Sequence, residues 1–349
     1  MFPALAVLQA VRDKFDDVLW IGGEGGMEAD LVQRQDIPFA NIPAAGLHGV
    51  GLTQMPGNLT KLGRGVLASR RILQQFKPDV LFFTGGYVAV PMALAGWRVP
   101  TLLYVPDIEP GLALKSLARF ADRIALTAES SQRFFPNHSQ LVVTGYPVRS
   151  DLSKWERMSA RKHFKLTDEL PVLLVFGGSK GARSINQALL ANRTALLEKT
   201  QIIHISGTLD WSEIQSSLKA LPQRFVNRYR AFAYLHEDMG AALAAADLVI
   251  SRAGASTLGE FPLFGLPAIL VPYPHAWRYQ KVNADFLAQR GAAVTLEDAS
   301  LKEALLPTVQ DLLTNPVKLQ TMRTAMKQLA HPQAAQAIGE QLFTLAGKR

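Results

Sequence analysis

Short, almost wholly apolar runs alternate with longer amphipathic stretches along the whole chain. In the first half the runs are Val18–Ile21, Val80–Phe83, Thr101–Val105, Arg123–Thr127 and Leu141–Val143. In the second half they are Val172–Phe176, Gln201–Ile205, Tyr229–Ala233, Asp247–Ile250 and Ala268–Val271. Runs this short, separated by helical patterns, predict strands in parallel sheets with helical crossovers. The chain itself opens on a helix: Pro3 suits a first helical turn, and Leu5, Leu8, Val11 and Phe15 recur at helical spacing before the first strand ends in Gly22-Gly23. A parallel α/β domain normally begins with a strand, so a strand and a glycine-rich turn are expected ahead of that helix, supplied by an upstream start or lost by deletion.

Around Thr144 to Arg149 the apolar pattern stops, and a polar segment with Lys154, Arg157, Arg161 and Lys162 leads to the next strand. This places a domain boundary there, giving residues 1–148 and 149–349, with the last helix able to pack back on the first domain. The predicted fold class is α/β, with two Rossmann-like doubly wound parallel-sheet domains facing a cleft at the carboxyl ends of their strands. Val80 to Trp97 carries no charge, but Gly85-Gly86 and Pro91 interrupt it, so it reads as strand, glycine turn and helix rather than a membrane span.

Composition narrows the chemistry. The 349 residues are 48% hydrophobic and 19% charged, as in a globular protein, and contain no cysteine, which removes disulfides and thiolate chemistry. A formal charge of +8 favours an anionic partner. The basic residues are dispersed among helices rather than gathered in a stripe with stacking aromatics, so nucleic acid is not the expected partner. The opening residues show no charged, apolar and cleavage-site succession, so a secretory signal is not expected.

The strongest local signal is "VLLVFGGSKGARSINQAL". A buried strand runs into Gly177, Gly178, Ser179, Lys180 and Gly181, and a helix begins at about Ala182. Glycines let backbone approach an anion, and a helix start offers unpaired N–H groups and the positive end of its dipole. A second strand-to-helix turn places Gly254, Ala255, Ser256 and Thr257 at a helix start, with Glu260 one turn in. Glu260 suits the helix dipole and equally suits vicinal ribose hydroxyls. Together the turns point to a nucleotide diphosphate, although neither matches the Walker or dinucleotide fingerprints. No D-x-D and no histidine ligand cluster occurs, so no metal and no tightly bound cofactor is expected.

Between Gly57 and Lys77, Leu59, Leu62, Val66, Leu73 and Phe76 share one helical face, opposite Lys61, Arg64 and Arg71. This reads either as a surface helix packed on its sheet or as a dock for anionic lipid. The "AGLHGVGLTQM" stretch, with Leu47, Val50 and Leu52, is a candidate lipid-meeting loop.

The motifs "FGGSKGARSIN", "SRAGASTLGE" and "GLPAILVPYPH", the Gln280–Asn283 spacing, and "GMEADLV", "GGYVAVP" and "TGYPVR" upstream resemble the MurG family. The resemblance runs in order along essentially the whole chain. It implies a glycosyltransferase of the B-type fold that moves N-acetylglucosamine from its UDP derivative to a lipid-diphosphate-linked muramoyl-pentapeptide, with inversion, in peptidoglycan synthesis. It also implies a peripheral enzyme on the cytoplasmic face of the bacterial membrane, with an undecaprenyl-diphosphate-linked acceptor.

By the same resemblance, Ser179 and Thr257 touch the UDP phosphates, with Gly178, Lys180, Gly181 and Gly254 around them and Arg149 near the donor. Glu260 binds the ribose, the backbone near His236 and Met239 binds uracil, Gln280 contacts the sugar beside Tyr279, and Asn283 supports the loop. Gly85, Gly86 and Tyr87 lie on the acceptor side. Lys180 stands where the family usually has glutamine. The family's histidine-ending glycine loop precedes its "FPALA", and its His-Glu-Gln-Asn stretch is here "YVPDIEPGLA". The base role then falls to Asp107 or Glu109, which a solvated Pro-flanked turn explains equally well. The changed motif leaves open a transferase with another lipid acceptor, a catalytically impaired UDP-sugar-binding homologue, and an epimerase of similar architecture acting on the free donor.

Overall fold

The structure is a computed structural model that describes residues 1–24, 29, 32, 35–45, 55–178, 180–275 and 279–347. The chain divides into two compact units, Met1–Pro147 with Gln333–Arg349, and Val148–Pro332. The last helix, Ala334–Ala346, belongs to the first unit: the sequence boundary kept it within 149–349 but allowed it to pack back on the first domain, and it does.

In the first unit β1 (Trp20–Gly23) pairs in parallel with β2 (Phe39–Ile42), and β3 (Leu81–Phe83), β4 (Thr101–Val105), β5 (Arg123–Leu126) and β6 (Leu141–Val143) form a second parallel sheet in that order. Every residue of β4 is buried, because successive side chains go to opposite faces and both faces are covered. Leu103 and Val105 join Leu81, Phe83, Ile124 and Leu126 beneath Met92, Leu114 and Leu117. Leu102 and Tyr104 face Val7 and Val11 of the opening helix, Phe2–Val11, and Ile338, Leu342 and Leu345 of the last one. Those helices meet closely enough that a Cβ on Gly339 would stand 2.3 Å from Val11 Cγ1.

The second unit is a six-stranded parallel sheet ordered β12-β11-β10-β7-β8-β9. The strands are β7 (Val172–Phe176), β8 (Gln201–Ile205), β9 (Tyr229–Phe232), β10 (Leu248–Ser251), β11 (Ala268–Leu270) and β12 (Ala293–Thr295). The chain builds outward from β7 to β9, returns to β10 on the other side of β7, and builds outward again. Such a reversal is where open α/β sheets leave a ligand crevice at the carboxyl ends of the strands. The β7–β10 register pairs Phe176 with Ser251, so the segments following these strands start side by side. At the opposite edge Asp247 accepts from Val172 N–H at 2.8 Å and from Arg161 at 2.7 Å, tying the same two strands together.

Candidate functional site

The glycine turn after β7 leads into the helix Arg183–Leu197, with Ala182 at its cap. Gly178 and Gly181 adopt φ of +96° and +86°, which side-chain-bearing residues rarely adopt. Gly181 is constrained twice, since its Cβ would stand 2.1 Å from Ser206 O. Gly181 N–H donates to Gly178 O at 3.0 Å, closing the turn, and Lys180 is exposed on it. Ser179 lies outside the described residues.

Beneath this turn is a buried polar network that the sequence motifs did not single out. Asn186 Nδ2 donates to Ser206 O at 2.9 Å and to Asp210 Oδ2 at 2.8 Å. Its Oδ1 is thus the acceptor facing His204 Nε2 at 2.9 Å, which makes Nε2 the protonated nitrogen and leaves Nδ1 to accept from Tyr229 O–H at 2.6 Å. Burial, reinforced by Arg193, lowers the His204 pKa to about 3, and burial raises Tyr229 to about 12. Both stay neutral near pH 7, and the carbonyl against which Gly181 packs is held by a satisfied network.

The second turn differs from a single helix start. Residues Ala255–Leu258 form a tight 3-10 turn, Gly259 breaks the geometry, and a short α-helix, Glu260–Phe264, begins at the carboxylate itself. Gly254 caps the 3-10 turn, and buried Thr257 donates its hydroxyl proton to Gly254 O at 2.7 Å. Glu260 lies partly buried. Burial pushes its carboxyl pKa up to about 7, against the opposing pull of Arg149 and a hydrogen bond with Ser256, while Asp151 adds to the rise. Arg149 is 3.6 Å from Asp151. A carboxylate this reluctant to ionise gains most from hydroxyl donors placed against it.

Asn283, fully buried, donates to Ala253 O at 3.1 Å and so ties the helix Tyr279–Ala288 to this turn. Gln280 Oε1 accepts from Tyr273 N–H at 2.8 Å, which fixes the amide with its Nε2 group as the remaining donor. Exposed His236 packs against Tyr234 in a tilted contact with ring centroids 4.6 Å apart, just before Met239 opens the helix Met239–Ala245. The second unit thus holds Arg149, Gly178, Lys180, Gly181, His236, Met239, Gly254, Thr257, Glu260, Gln280 and Asn283.

The first unit holds the remaining candidates. Gly85 and Gly86 follow β3 with φ of +108° and +88°, and Tyr87 beyond them is exposed. Asp107 and Glu109 follow β4 in different surroundings. Asp107 is partly exposed and close enough to Tyr104 to add to the rise that burial causes in that phenol. Glu109 is buried, 3.8 Å from Lys115. For Glu109 the solvated-turn expectation is wrong: Ile108 and Pro110 are buried beside it, so the turn folds inward.

The helix Met55–Phe76 buries Gly65 and Ser69 and half-buries Leu62, Val66, Ile72 and Leu73. A Cβ on Gly65 would stand 2.3 Å from Pro43 O. Only part of the expected apolar stripe is covered: Leu59 is 56% exposed, and Leu67 is 57% exposed in a row between exposed Arg64 and Arg71, with Lys61 nearby. Leu47, Val50 and Leu52 lie outside the described residues. Among those residues no helix is long and apolar enough to cross a membrane, and no group of His, Cys, Asp and Glu is placed to hold a metal ion.

The glycosyltransferase family 28 N-terminal domain matches residues 1–126, and the family 28 C-terminal domain matches residues 172–338. A UDP-N-acetylglucosamine--N-acetylmuramyl-(pentapeptide) pyrophosphoryl-undecaprenol N-acetylglucosamine transferase of Roseiflexus sp. is 41% identical, covering 95% of this chain and 84% of that protein. The crystal structure of Acinetobacter baumannii MurG superposes with a TM-score of 0.76 at 28% identity, over 98% of this chain and 95% of that one. A Neisseria meningitidis UDP-GlcNAc 2-epimerase bound to UDP-GlcNAc gives 0.70 at 12% identity, over 98% and 96%, a likeness of fold alone. Two parallel α/β units, family 28 domains on both halves and this near full-length identity agree, and the chain belongs to the MurG family of glycosyltransferases.

Proposed function

We propose that this chain transfers N-acetylglucosamine from UDP-N-acetylglucosamine to a lipid-diphosphate-linked muramoyl-pentapeptide, the lipid I to lipid II step of peptidoglycan synthesis. The observation that carries this reading is the pair of polar turns leaving the adjacent ends of β7 and β10. An acceptor hydroxyl attacks the anomeric carbon, the bond from that carbon to the β-phosphate oxygen breaks, and UDP leaves with the electron pair. Backbone N–H groups of the 177–181 turn, the start of the helix Arg183–Leu197 and Lys180 offset the charge gathering on the diphosphate. Glu260 accepts from the ribose hydroxyls, the backbone near His236 and Met239 meets uracil, and Gln280 donates through Nε2 to the sugar. The hydroxyl proton passes to Asp107, whose carboxylate is the more accessible of the two on the turn after β4.

The enzyme works against the cytoplasmic face of the membrane, where its lipid acceptor resides. Supporting this is the helix Met55–Phe76, which presents Arg64, Leu67 and Arg71 outward in one row. Labelled UDP-N-acetylglucosamine offered separately with lipid I and with diacylglycerol tests the acceptor. Transfer to lipid I is expected, and transfer to diacylglycerol alone overturns it. UDP binding without transfer to either would favour a catalytically impaired homologue.

A further inference from the structure

Arg252 follows β10 directly, two positions before Gly254, and its side chain is largely buried. The guanidinium donates to Val271 O at 3.1 Å, to Ser184 Oγ at 2.8 Å and to Asp298 Oδ1, and lies 5.2 Å from the centroid of the Tyr273 ring. Ser184 in turn donates to the same Asp298 oxygen at 2.7 Å. Every donor in this triangle has one acceptor and every direction is consistent. Each partner leads to a different part of the donor site. Ser184 is in the first turn of the helix that opens at the 177–181 turn. Arg252 leads into the turn carrying Glu260. Tyr273, against which Arg252 stacks, holds Gln280 through its backbone N–H.

Asp298 lies beyond β12, in none of the segments assigned to the donor. Without its carboxylate the guanidinium would be buried beside a hydroxyl and a carbonyl with no counter-charge, and such a group relaxes toward water and takes its neighbours with it. We propose that Asp298 is a positioning residue for UDP-sugar binding: by holding Arg252 and Ser184 together it sets the phosphate turn, the ribose turn and the Gln280 segment in one mutual geometry. This rests on the transferase reading above. Because most of those contacts exist before the reaction as well as during it, their loss acts much more on KM than on kcat.

The test is steady-state transfer together with calorimetry of UDP binding, on the full chain. Asp298→Ala is expected to raise KM for the donor, and Kd for UDP in parallel, roughly ten-fold with kcat within about two-fold, the size of a lost charge-assisted hydrogen bond. Asp298→Asn keeps an acceptor oxygen for Arg252 and Ser184 but removes the counter-charge, and is expected to restore part of the affinity, leaving KM and Kd between those of the wild type and Asp298→Ala. Ser184→Ala, which removes one arm, reads the same geometry if Asp298→Ala does not fold, with a rise of roughly three-fold. A merely structural role would lower the melting temperature and kcat while leaving KM and UDP affinity unchanged, and that result overturns the inference with the transferase reading intact. A wild-type chain that binds UDP but transfers nothing overturns the transferase reading, and UDP affinities of the same variants still decide the role of Asp298. A chain that does not bind UDP overturns both.

Discussion

The strand ends of the two units follow one architectural rule and treat their polar groups in opposite ways. After β7 and β10 the polar groups are braced against each other: Asn283 on Ala253, Gln280 on Tyr273, Arg252 between Ser184 and Asp298, and Asn186 beneath the glycine turn. After β3 and β4 there are two glycines at positive φ and a short acidic turn, in which one carboxylate is buried near Lys115 and the other is partly exposed. With the roles proposed above, the difference follows from the two tasks. Holding a nucleotide diphosphate needs several donors kept in fixed relation, so rigidity is distributed over many hydrogen bonds. Accepting a proton needs a single group with the right environment.

This contrast is sharpest at the acidic turn. Asp107→Asn is expected to lower kcat by roughly a hundred-fold to ten-thousand-fold, the range of general-base contributions, with UDP affinity unchanged. Glu109→Gln is expected to act mainly on the melting temperature, since it weakens a buried contact with Lys115. Rates and melting curves of the two variants check this. An exchange of the two outcomes would assign the base to Glu109.

On the donor side, Glu260→Ala is expected to cost UDP binding about 1–3 kcal/mol, measured by calorimetry. The pH dependence gives a finer reading. In the free protein burial lifts the carboxyl pKa to about 7, and in the proposed complex ribose hydroxyls donate to its ionised form, so binding pulls that pKa down. UDP affinity should therefore rise as pH increases through about 7 and level off above it. The sign reverses for stability of the free protein. A pKa raised above the unfolded value adds stability at acid pH that is lost as pH rises through about 7. Glu260→Gln should flatten the affinity profile, and identical profiles for variant and wild type would remove Glu260 from the ribose. The smallest effect belongs to the outer face of the first unit, where Arg64→Ala or Arg71→Ala should each weaken binding to anionic vesicles by about 1 kcal/mol. Sedimentation with vesicles checks this, and unchanged binding would make the helix Met55–Phe76 a packing element only.

The hydrophobic pattern was clearest for strands buried on both faces, as in β4 and β7, and it also found β1, β6 and β9, which are only partly buried. It passed over β2 and β12, short strands whose burial is partial and whose polar Asn41 and Thr295 interrupt the run. The glycine turns were legible because positive φ and close backbone approach demand glycine locally. Their supports were not. Arg252 and Asp298 are 46 positions apart, and His204 meets Tyr229 across 25 and Asn186 across 18. Pairings at such distances leave no periodicity. The one local sign was a histidine inside the apolar run Gln201–Ile205. Glu109 stayed open between a base and a solvated turn because acidic residues beside prolines look solvated until the packing of Ile108 is known.

The contact of the opening helix with Gly339 has a consequence for synthesis. The face of β4 carrying Leu102 and Tyr104 is covered partly by Ile338, Leu342 and Leu345, which are made after the whole of the second unit. Residues 148–332 form one uninterrupted unit and can close as soon as they emerge, so the unit begun first is completed second. For most of translation the nascent first unit shows an apolar sheet face covered only in part, by Val7 and Val11 of the opening helix. A chain cut before Gln333 therefore keeps every residue of the second unit, while its first unit lacks part of the cover over β4 and is open to chaperones and proteases.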